Sequence, residues 1–430
     1  MRSSQDRQAW AVVVLVFLFM LINYADKAVI GLSSVQIMNE LHLSHAQFGS
    51  LGSAFFLLFS ISGVIVGFLA NRFSTKIIML VMGTIWALAL LPISVAESFS
   101  VLFWSRVVLG AAEGPAFPIA VHAVYKWFGD RRRALPTSVV ACGAAFGTGV
   151  IAPLITWIIV HHGWHAAFGI LGLVGLAWAC LWFFVGEDGP VDRSADAQAG
   201  TAGRVSYWQL LLSRTAIGVY LAGFAAYWVI ALNIIWLANY LIKVLHMPPT
   251  QAAWVIALPS VLQMILAPAL AYVSQRLTVR GYSGRVSRGL LGTFCVIVAG
   301  ISMICLALVG MGVIKVVLIG LSFSIGSVIF TLGSTLIGEI SPALQRGAML
   351  GVTNSIHTLA GLCAPIAMGL VVDIGVDPAA GFRAGYIYAG ALVAILGLLA
   401  AILIDPEADL QRFRRIDTGN KTGMTGEPAL

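Results

Sequence analysis

The chain has 430 residues, of which 59% are apolar and only 10% are charged. An ordinary soluble domain carries roughly 25% charged residues, so this chain cannot cover a water-exposed surface of its size. The net charge of +7 lies in short basic clusters between apolar runs, a placement typical of membrane topology and not of a nucleic-acid-binding face. The composition therefore excludes a soluble domain and predicts an integral membrane protein.

Twelve apolar stretches are each long enough to cross a hydrocarbon layer of about 30 Å as a helix. In chain order they cover 9–32, 47–70, 76–96, 98–125, 134–160, 166–186, 212–243, 251–275, 288–310, 314–338, 346–373 and 382–404. No small-residue cleavage site follows the first stretch, so we interpret it as a retained span and not as a signal peptide. The predicted fold class is an all-α integral membrane protein with twelve transmembrane helices in two six-helix bundles.

A polar gap divides these spans six and six. It runs from Glu187 to about Arg214 and contains Gly-Glu-Asp-Gly-Pro followed by an Asp-, Ser-, Ala- and Gly-rich stretch, which is linker composition. The predicted organisation is an N-terminal bundle over 1–186, a cytoplasmic central loop over 187–211, a C-terminal bundle over 212–404 and a cytoplasmic tail over 405–430. The polar composition of the tail predicts that it is disordered.

The positions of Lys and Arg predict the orientation. With an even number of spans, both termini lie on one side, and most of the 25 basic residues fall there. The opposite side holds Lys243, Lys315 and Arg383. Because cytoplasmic loops are enriched in Lys and Arg, we expect both termini in the cytoplasm. We expect a monomer in a bacterial inner membrane, with lipid around it.

The two halves carry a repeated pattern. Arg133 opens the fifth span and Ala152-Pro153 lies within it, whereas Arg346 opens the eleventh span and Ala364-Pro365 lies within that one. One six-span unit therefore occurs twice in the same orientation. Two such halves around a central site that opens to alternate sides form a transporter architecture.

Four ionisable residues lie deep inside spans: Asp26 and Lys27 in the first, Arg106 and Glu113 in the fourth. A charge at mid-bilayer costs roughly 2.5–3.5 kcal/mol on insertion scales, so such residues indicate function. Glu113 follows Arg106 by two helical turns on one face. A carboxylate whose cationic partner moves away changes its affinity for protons, which is what a proton carrier needs.

Several strings of residues resemble the major facilitator superfamily. Gly67-Phe-Leu-Ala-Asn71-Arg72-Phe-Ser-Thr-Lys76 looks like the signature loop of that superfamily between its second and third spans. Asn23-Tyr-Ala-Asp-Lys27, and the fourth-span string from Arg106 through Glu113-Gly-Pro to Pro118, are similar to the organic-anion:proton symporters, also called anion:cation symporters. The resemblance implies the major facilitator fold and uptake of sugar acids or other small carboxylates.

The sequence departs from that pattern at six positions, two of which are Ser74 and Thr75, where the signature loop usually has glycine and basic residues. Asn71 replaces the usual acid of the signature loop, and Lys27 stands where arginine is typical. Phe59 and Ala144 lie where sugar-acid carriers often have tyrosine and glutamine. Because Phe59 and Ala144 take the place of hydroxyl-binding groups, we expect a substrate with few hydroxyls.

These observations predict a secondary active transporter for proton-coupled uptake of a small organic carboxylate or sulfonate, with Asp26 and Glu113 carrying the protons. The expected substrate-binding residues are Lys27, Tyr24, Arg106 and Asn354. The alternative is a facilitator-type exchanger or an efflux antiporter of another small solute. No nucleophile–base set, metal-ligand spacing or phosphate-binding loop is visible in the sequence, so we expect no enzyme, no metal, no nucleic-acid partner and no cofactor beyond the proton.

Overall fold

The computed structural model describes residues 2–70, 72–95, 97–128, 134–190, 205–342 and 345–413, and these ranges are helical with no β-strand. The helices of the first half are α1 (Arg2–Leu32), α2 (Ser34–Glu40), α3 (His45–Leu69), α4 (Thr75–Leu90), α5 (Phe99–Glu113), α6 (Ala116–Tyr125), α7 (Ala134–Ala145) and α8 (Ala152–Val185). Those of the second half are α9 (Tyr207–Leu211), α10 (Arg214–Asn239), α11 (Pro249–Val279), α12 (Leu291–Leu308), α13 (Val313–Ser322), α14 (Val328–Ile340), α15 (Arg346–Ile374) and α16 (Pro378–Leu403). Short π-helical turns join or extend three of these helices, at Phe146–Val150, Tyr240–Val244 and Arg285–Leu290.

Eleven helical stretches among the described residues are long and apolar enough to cross a membrane. The longest has 51 residues, Leu135–Val185, and as one straight helix would be about 77 Å long, more than twice the hydrocarbon thickness. Its backbone leaves helical geometry at Gly163, where φ is 82°, a conformation that glycine adopts without steric cost. Trp164 donates a hydrogen bond to Glu40 at the end of α2, whereas Trp182 donates one to the carbonyl of Lys76 at the start of α4. This stretch therefore crosses twice, which gives the twelve predicted crossings.

The helices form two bundles, α1–α8 and α10–α16, which meet where α3 packs on α15, α1 on α10 and α8 on α11. We call the face that holds the start of α1 and the end of α16 the terminal face. The face that holds the end of α1 and the start of α3 is the distal face. The apolar core continues from one bundle into the other, because the helices at their interface bury small and aliphatic side chains.

Glycines let the bundles approach closely toward the distal face. A Cβ atom at Gly31 of α1 would lie 1.8 Å from the carbonyl oxygen of Ile234, and one at Gly49 of α3 would lie 2.4 Å from that of Pro365. Toward the terminal face, a Cβ atom at Gly67 or Gly351 would meet no heavy atom within 4 Å. The bundles thus touch backbone to backbone on the distal side, and open space lies at the terminal ends of α3 and α15.

A carboxylate joins the two bundles at the distal face. Asp373, near the end of α15, accepts hydrogen bonds from the backbone N–H groups of His45 at 2.9 Å and Ala46 at 2.8 Å, and its Oδ1 lies 2.8 Å from Nδ1 of His45. These N–H groups belong to the first residues of α3. The first N–H groups of a helix have no acceptor within the helix, and the partial positive charge of a helix N-terminus attracts a carboxylate. We call this contact the distal latch, because it must break if the bundles part at this face.

At the terminal face, Asp188 joins the end of α8 to the start of α4. Its carboxylate accepts hydrogen bonds from Nζ of Lys126 at 2.8 Å and from the backbone N–H groups of Thr75 at 3.2 Å and Lys76 at 3.1 Å. Burial by itself would raise the pKa of Asp188, but the hydrogen bonds from Lys126 and Thr75 and the charge of Lys126 outweigh it and hold that pKa below its usual value. Asp188 therefore joins helices of the N-terminal bundle to one another at this face.

The first residues of the predicted tail are ordered. Residues 406–413 are helical, Asp409 accepts a hydrogen bond from the backbone N–H of Thr215 at 2.8 Å, and Phe413 is buried. The prediction of a disordered tail is wrong for this part, because Asp409 binds the start of α10 and Phe413 has apolar neighbours. The remaining tail, 414–430, lies outside the described residues, as do Asn71, Arg133 and the central-loop residues 191–204.

Candidate functional site

The four predicted ionisable residues are all buried in the N-terminal bundle. Asp26 and Lys27 lie on α1, Arg106 and Glu113 lie on α5, and none is more than 6% exposed. Isolated charges inside a protein at membrane depth are costly, so each needs a partner or a role. The structure therefore brings together the residues that the sequence singled out in spans one and four.

Lys27 and Glu113 form the ion pair of this site. The ammonium nitrogen of Lys27 lies 3.2 Å from Oε2 of Glu113 and also donates a hydrogen bond to the side-chain carbonyl of Asn23, one turn earlier on α1. An ammonium group has three donors. With one donor on Asn23 and the Glu113 carboxylate as its ion-pair partner, the ammonium has a further donor for an anion, which would share its charge with Glu113.

Aromatic rings surround the Lys27 ammonium. Its nitrogen lies 4.3 Å from the ring centroid of Tyr24, 5.4 Å from that of Phe59 and 5.8 Å from that of Phe55. Ring faces attract a cation within about 6 Å while excluding water. The site therefore holds the Lys27 charge against three aromatic rings.

Two glycines of α5 set the distance between this helix and α3. A Cβ atom at Gly110 would lie 1.7 Å from the carbonyl oxygen of Phe55, and one at Gly114 would lie 2.0 Å from that of Phe59. Any side chain at either position would push α3 away. This backbone contact holds Glu113 beside the rings that face Lys27.

Asp26 and Arg106 lie in the same buried cluster but do not pair. Both carboxylate oxygens of Asp26, and Nε and Nη1 of Arg106, are buried without a hydrogen-bond partner in the part of the chain that the structure describes. The guanidinium carbon of Arg106 lies 4.6 Å from the ring centroid of Phe55. The ion pair of this cluster is Lys27–Glu113.

The other predicted binding residues differ in position. Tyr24 is half-buried beside Lys27, whereas Asn354 is exposed on α15 and lies outside the buried cluster. Two further residues at the site, Asn23 and Tyr227, were not predicted from the sequence. The ring centroid of Tyr227 lies 5.7 Å from that of Phe56 across the bundle interface. The spacing of Asn23 and Lys27, four residues apart on one helix, was the signal for the first. Nothing in the sequence marked the second.

The fold agrees with the comparisons with known proteins. The sequence pattern of the Major Facilitator Superfamily matches residues 16–327, which is more than half of the chain. The chain belongs to the Major Facilitator Superfamily. It is thus a membrane transporter and not an enzyme, as the sequence predicted.

This superfamily member has curated relatives along almost its whole length. It is 25% identical to a D-galactonate transporter of Escherichia coli, covering 94% of this chain and 96% of that one. It is 26% identical to a probable sulfoacetate transporter of Cupriavidus necator, covering 90% and 91%. Among solved structures, a bacterial homologue of the human lysosomal transporter Spinster, inward-facing and unoccupied, has a TM-score of 0.75 at 18% identity and covers 94% of this chain and 98% of that one. The predicted resemblance and fold class are confirmed.

Proposed function

We propose that this protein takes up a small organic anion together with protons by alternating access. The observation that carries the proposal is the buried Lys27–Glu113 ion pair beside Asp26, a carboxyl group without a hydrogen-bond partner among the described residues. The relatives support it, because those named above are a D-galactonate transporter and a probable sulfoacetate transporter, and both compounds are organic anions. The proposed substrate is a carboxylate or a sulfonate.

Coupling follows from competition for Lys27. A substrate anion that pairs with the Lys27 ammonium takes the place of the Glu113 carboxylate. Glu113 is fully buried, so an unpaired negative charge there would cost several kcal/mol, and the site instead accommodates it as a neutral acid carrying a proton. Asp26, equally buried, provides a second proton position within the same cluster. Substrate and proton therefore enter together.

Orientation and location are part of the proposal. The terminal face carries most of the basic residues, which supports placing it and both termini in the cytoplasm of a bacterial cell. Protons and substrate would then enter from the distal face and leave through the open space at the terminal ends of α3 and α15. We propose that the protein acts as a monomer, since each polypeptide contains both bundles and the whole Lys27–Glu113 site.

Counterflow in proteoliposomes tests the function. Vesicles containing the purified protein and a pH-sensitive dye receive a panel of organic carboxylates and sulfonates, with and without an inward proton gradient. We expect at least one acid to enter with acidification of the lumen, and a protonophore to abolish its accumulation. Uptake of the acid with no acidification would contradict proton coupling and favour the alternative, an exchanger.

The panel also tests the expected preference for anions with few hydroxyls. Phe59 lies beside Lys27 and offers no hydrogen-bonding group. A substrate hydroxyl that leaves water for this apolar wall forms no replacement hydrogen bond, which costs about 1–3 kcal/mol per unpaired group. We therefore expect hexonates and hexuronates to compete poorly, and short or aromatic monocarboxylates, or sulfonates of similar size, to compete better. A hexonate that outcompetes every less hydroxylated acid would reject this prediction.

Alternating access also gives the distal latch a measurable role. Replacing Asp373 by Asn removes the charge and one of the two oxygens that bind the start of α3. We expect the population open at the distal face to rise about 10- to 160-fold, which corresponds to roughly 1.5–3 kcal/mol for hydrogen bonds to a charged group. Double electron–electron resonance between spin labels on α2 and at the start of α16 would measure this population.

Asp377→Asn is the matched control for the latch. Asp377 accepts a hydrogen bond from the backbone N–H of Ala380 at the start of α16, within a single bundle. Its replacement should leave the distance distribution between the labels unchanged. Equal distributions for Asp373→Asn and the unmodified protein would show that the latch contributes nothing to closure.

A further inference from the structure

A small cavity lies between the two bundles, on the distal side of Lys27. Its volume is about 20 Å³, and its polar lining comes from Thr148 in the fifth span, Asn233 on α10 and Ser260 on α11. Ala28 and Leu32 of α1 form its apolar side. The cavity is therefore built from both halves of the molecule, as the substrate sites of such transporters are.

One residue that lines this cavity has a buried acceptor without a hydrogen-bond partner among the described residues. The side-chain carbonyl oxygen of Asn233 is buried and has no hydrogen-bond partner within the described ranges. Such a group costs free energy unless it finds a donor, and native proteins rarely leave one unpaired. The two hydroxyls beside it are already engaged, since Thr148 and Ser260 lie 3.0 Å apart and Thr148 also donates to the carbonyl of Ala144 at 3.1 Å. The cavity thus lacks a donor opposite Asn233.

The cavity is within reach of an anion bound at Lys27. Ala28 follows Lys27 directly, and Tyr24, Ala28 and Leu32 lie on one face of α1 at intervals of four residues. Tyr24 itself packs against the fifth span, where a Cβ atom at Gly147 would lie 2.9 Å from the Cβ of Tyr24. The cavity therefore begins about one helical turn, roughly 5 Å, beyond the level of Tyr24.

We propose that this cavity is a subsite for a single hydroxyl, or an equivalent donor, of the transported anion, with the Asn233 carbonyl as its acceptor. The inference rests on the proposed function, in which the anionic group binds Lys27. The volume exceeds the 10–15 Å³ or so that one water-sized group requires, but it does not hold a chain of hydroxylated carbons. The substrate class is then a short hydroxy acid or hydroxysulfonate, and Asn233 determines its selection.

Matched pairs of anions that differ by one hydroxyl test the subsite. Calorimetric titration of the purified full-length protein compares lactate with propionate, and 2-hydroxyethanesulfonate with ethanesulfonate. We expect the hydroxylated member of a pair to bind about tenfold more tightly, since its hydroxyl satisfies a buried acceptor. Asn233→Leu, which keeps a similar volume without the amide, should remove this preference by weakening the hydroxylated member alone.

Two further variants complete the experiment. Asn239→Leu alters another amide on α10, whose nitrogen lies 3.5 Å from the sulfur of Met38 at the distal face, and should leave the ratio within each pair unchanged. Asn233→Ser keeps a small acceptor and should give an intermediate ratio, which serves as the test if Asn233→Leu does not fold.

The outcomes separate the two proposals. Equal binding of both members of each pair by the unmodified protein, or an unchanged ratio in the Asn233 variants, overturns the subsite while organic-anion binding stands. Failure of the unmodified protein to bind or take up any organic anion of the wider panel overturns the proposed function instead.

Discussion

Replacing Glu113 by Gln, or Asp26 by Asn, is expected to abolish uptake driven by an inward proton gradient. Both side chains are fully buried, and amides of the same shape cannot exchange a proton. Glu113→Gln also leaves Lys27 without its ion-pair partner at 3.2 Å, so an anion should bind at least as tightly while accumulation stops. Proteoliposome uptake with an imposed pH gradient, compared with exchange at equal pH on both sides, measures the two activities separately.

Glu97→Gln is the control for this pair, because Glu97 is an exposed carboxylate at the distal face and should not affect coupling. Exchange that persists in a variant without gradient-driven accumulation identifies a residue that carries protons without being needed for substrate binding. Undiminished accumulation in both single variants would rule out Asp26 and Glu113 as the proton carriers.

Lys27→Gln is expected to cause the largest loss of anion affinity. Losing one partner of a desolvated ion pair typically costs about 2–5 kcal/mol, roughly 30- to several-thousand-fold in affinity. Lys27→Arg should retain part of the binding with altered selectivity, since a planar guanidinium presents a fork of donors where the ammonium is a point charge. Calorimetric titration with the anion identified by counterflow would measure these affinities.

Lys27→Gln also leaves the Glu113 carboxylate buried without a cation beside it, which can destabilise the fold. The double variant Lys27→Gln/Glu113→Gln removes both charges and should restore thermal stability while anion binding stays lost. Lys315→Gln is the matched control, because Lys315 is also buried but donates to the carbonyl of Val309 at 2.9 Å in the other bundle. Unchanged affinity in Lys27→Gln would place the anion site elsewhere, with Arg106 as the next candidate.

The sequence by itself determined that lipid surrounds this protein, how many times the chain crosses the membrane and which ionisable residues are candidates for the site. A chain that is 59% apolar must be surrounded by lipid, and the length of each apolar stretch against a layer of about 30 Å sets the number of spans. Even the double crossing within Leu135–Val185 was visible, because Gly163 interrupts two stretches that are each long enough. Asp26, Lys27, Arg106 and Glu113 were identifiable because a charge in a span is costly wherever it lies.

Only the tertiary structure decided which of these groups meet. Lys27 pairs with Glu113 and not with its neighbour Asp26, and Gly110 and Gly114 bring α5 against α3 at distances that no side chain would allow. Asn354 lies outside the buried cluster, and Asp373 binds the start of α3 across the bundle interface. Such contacts join residues far apart in the chain, and helix packing, which local hydrophobicity does not specify, sets their distances.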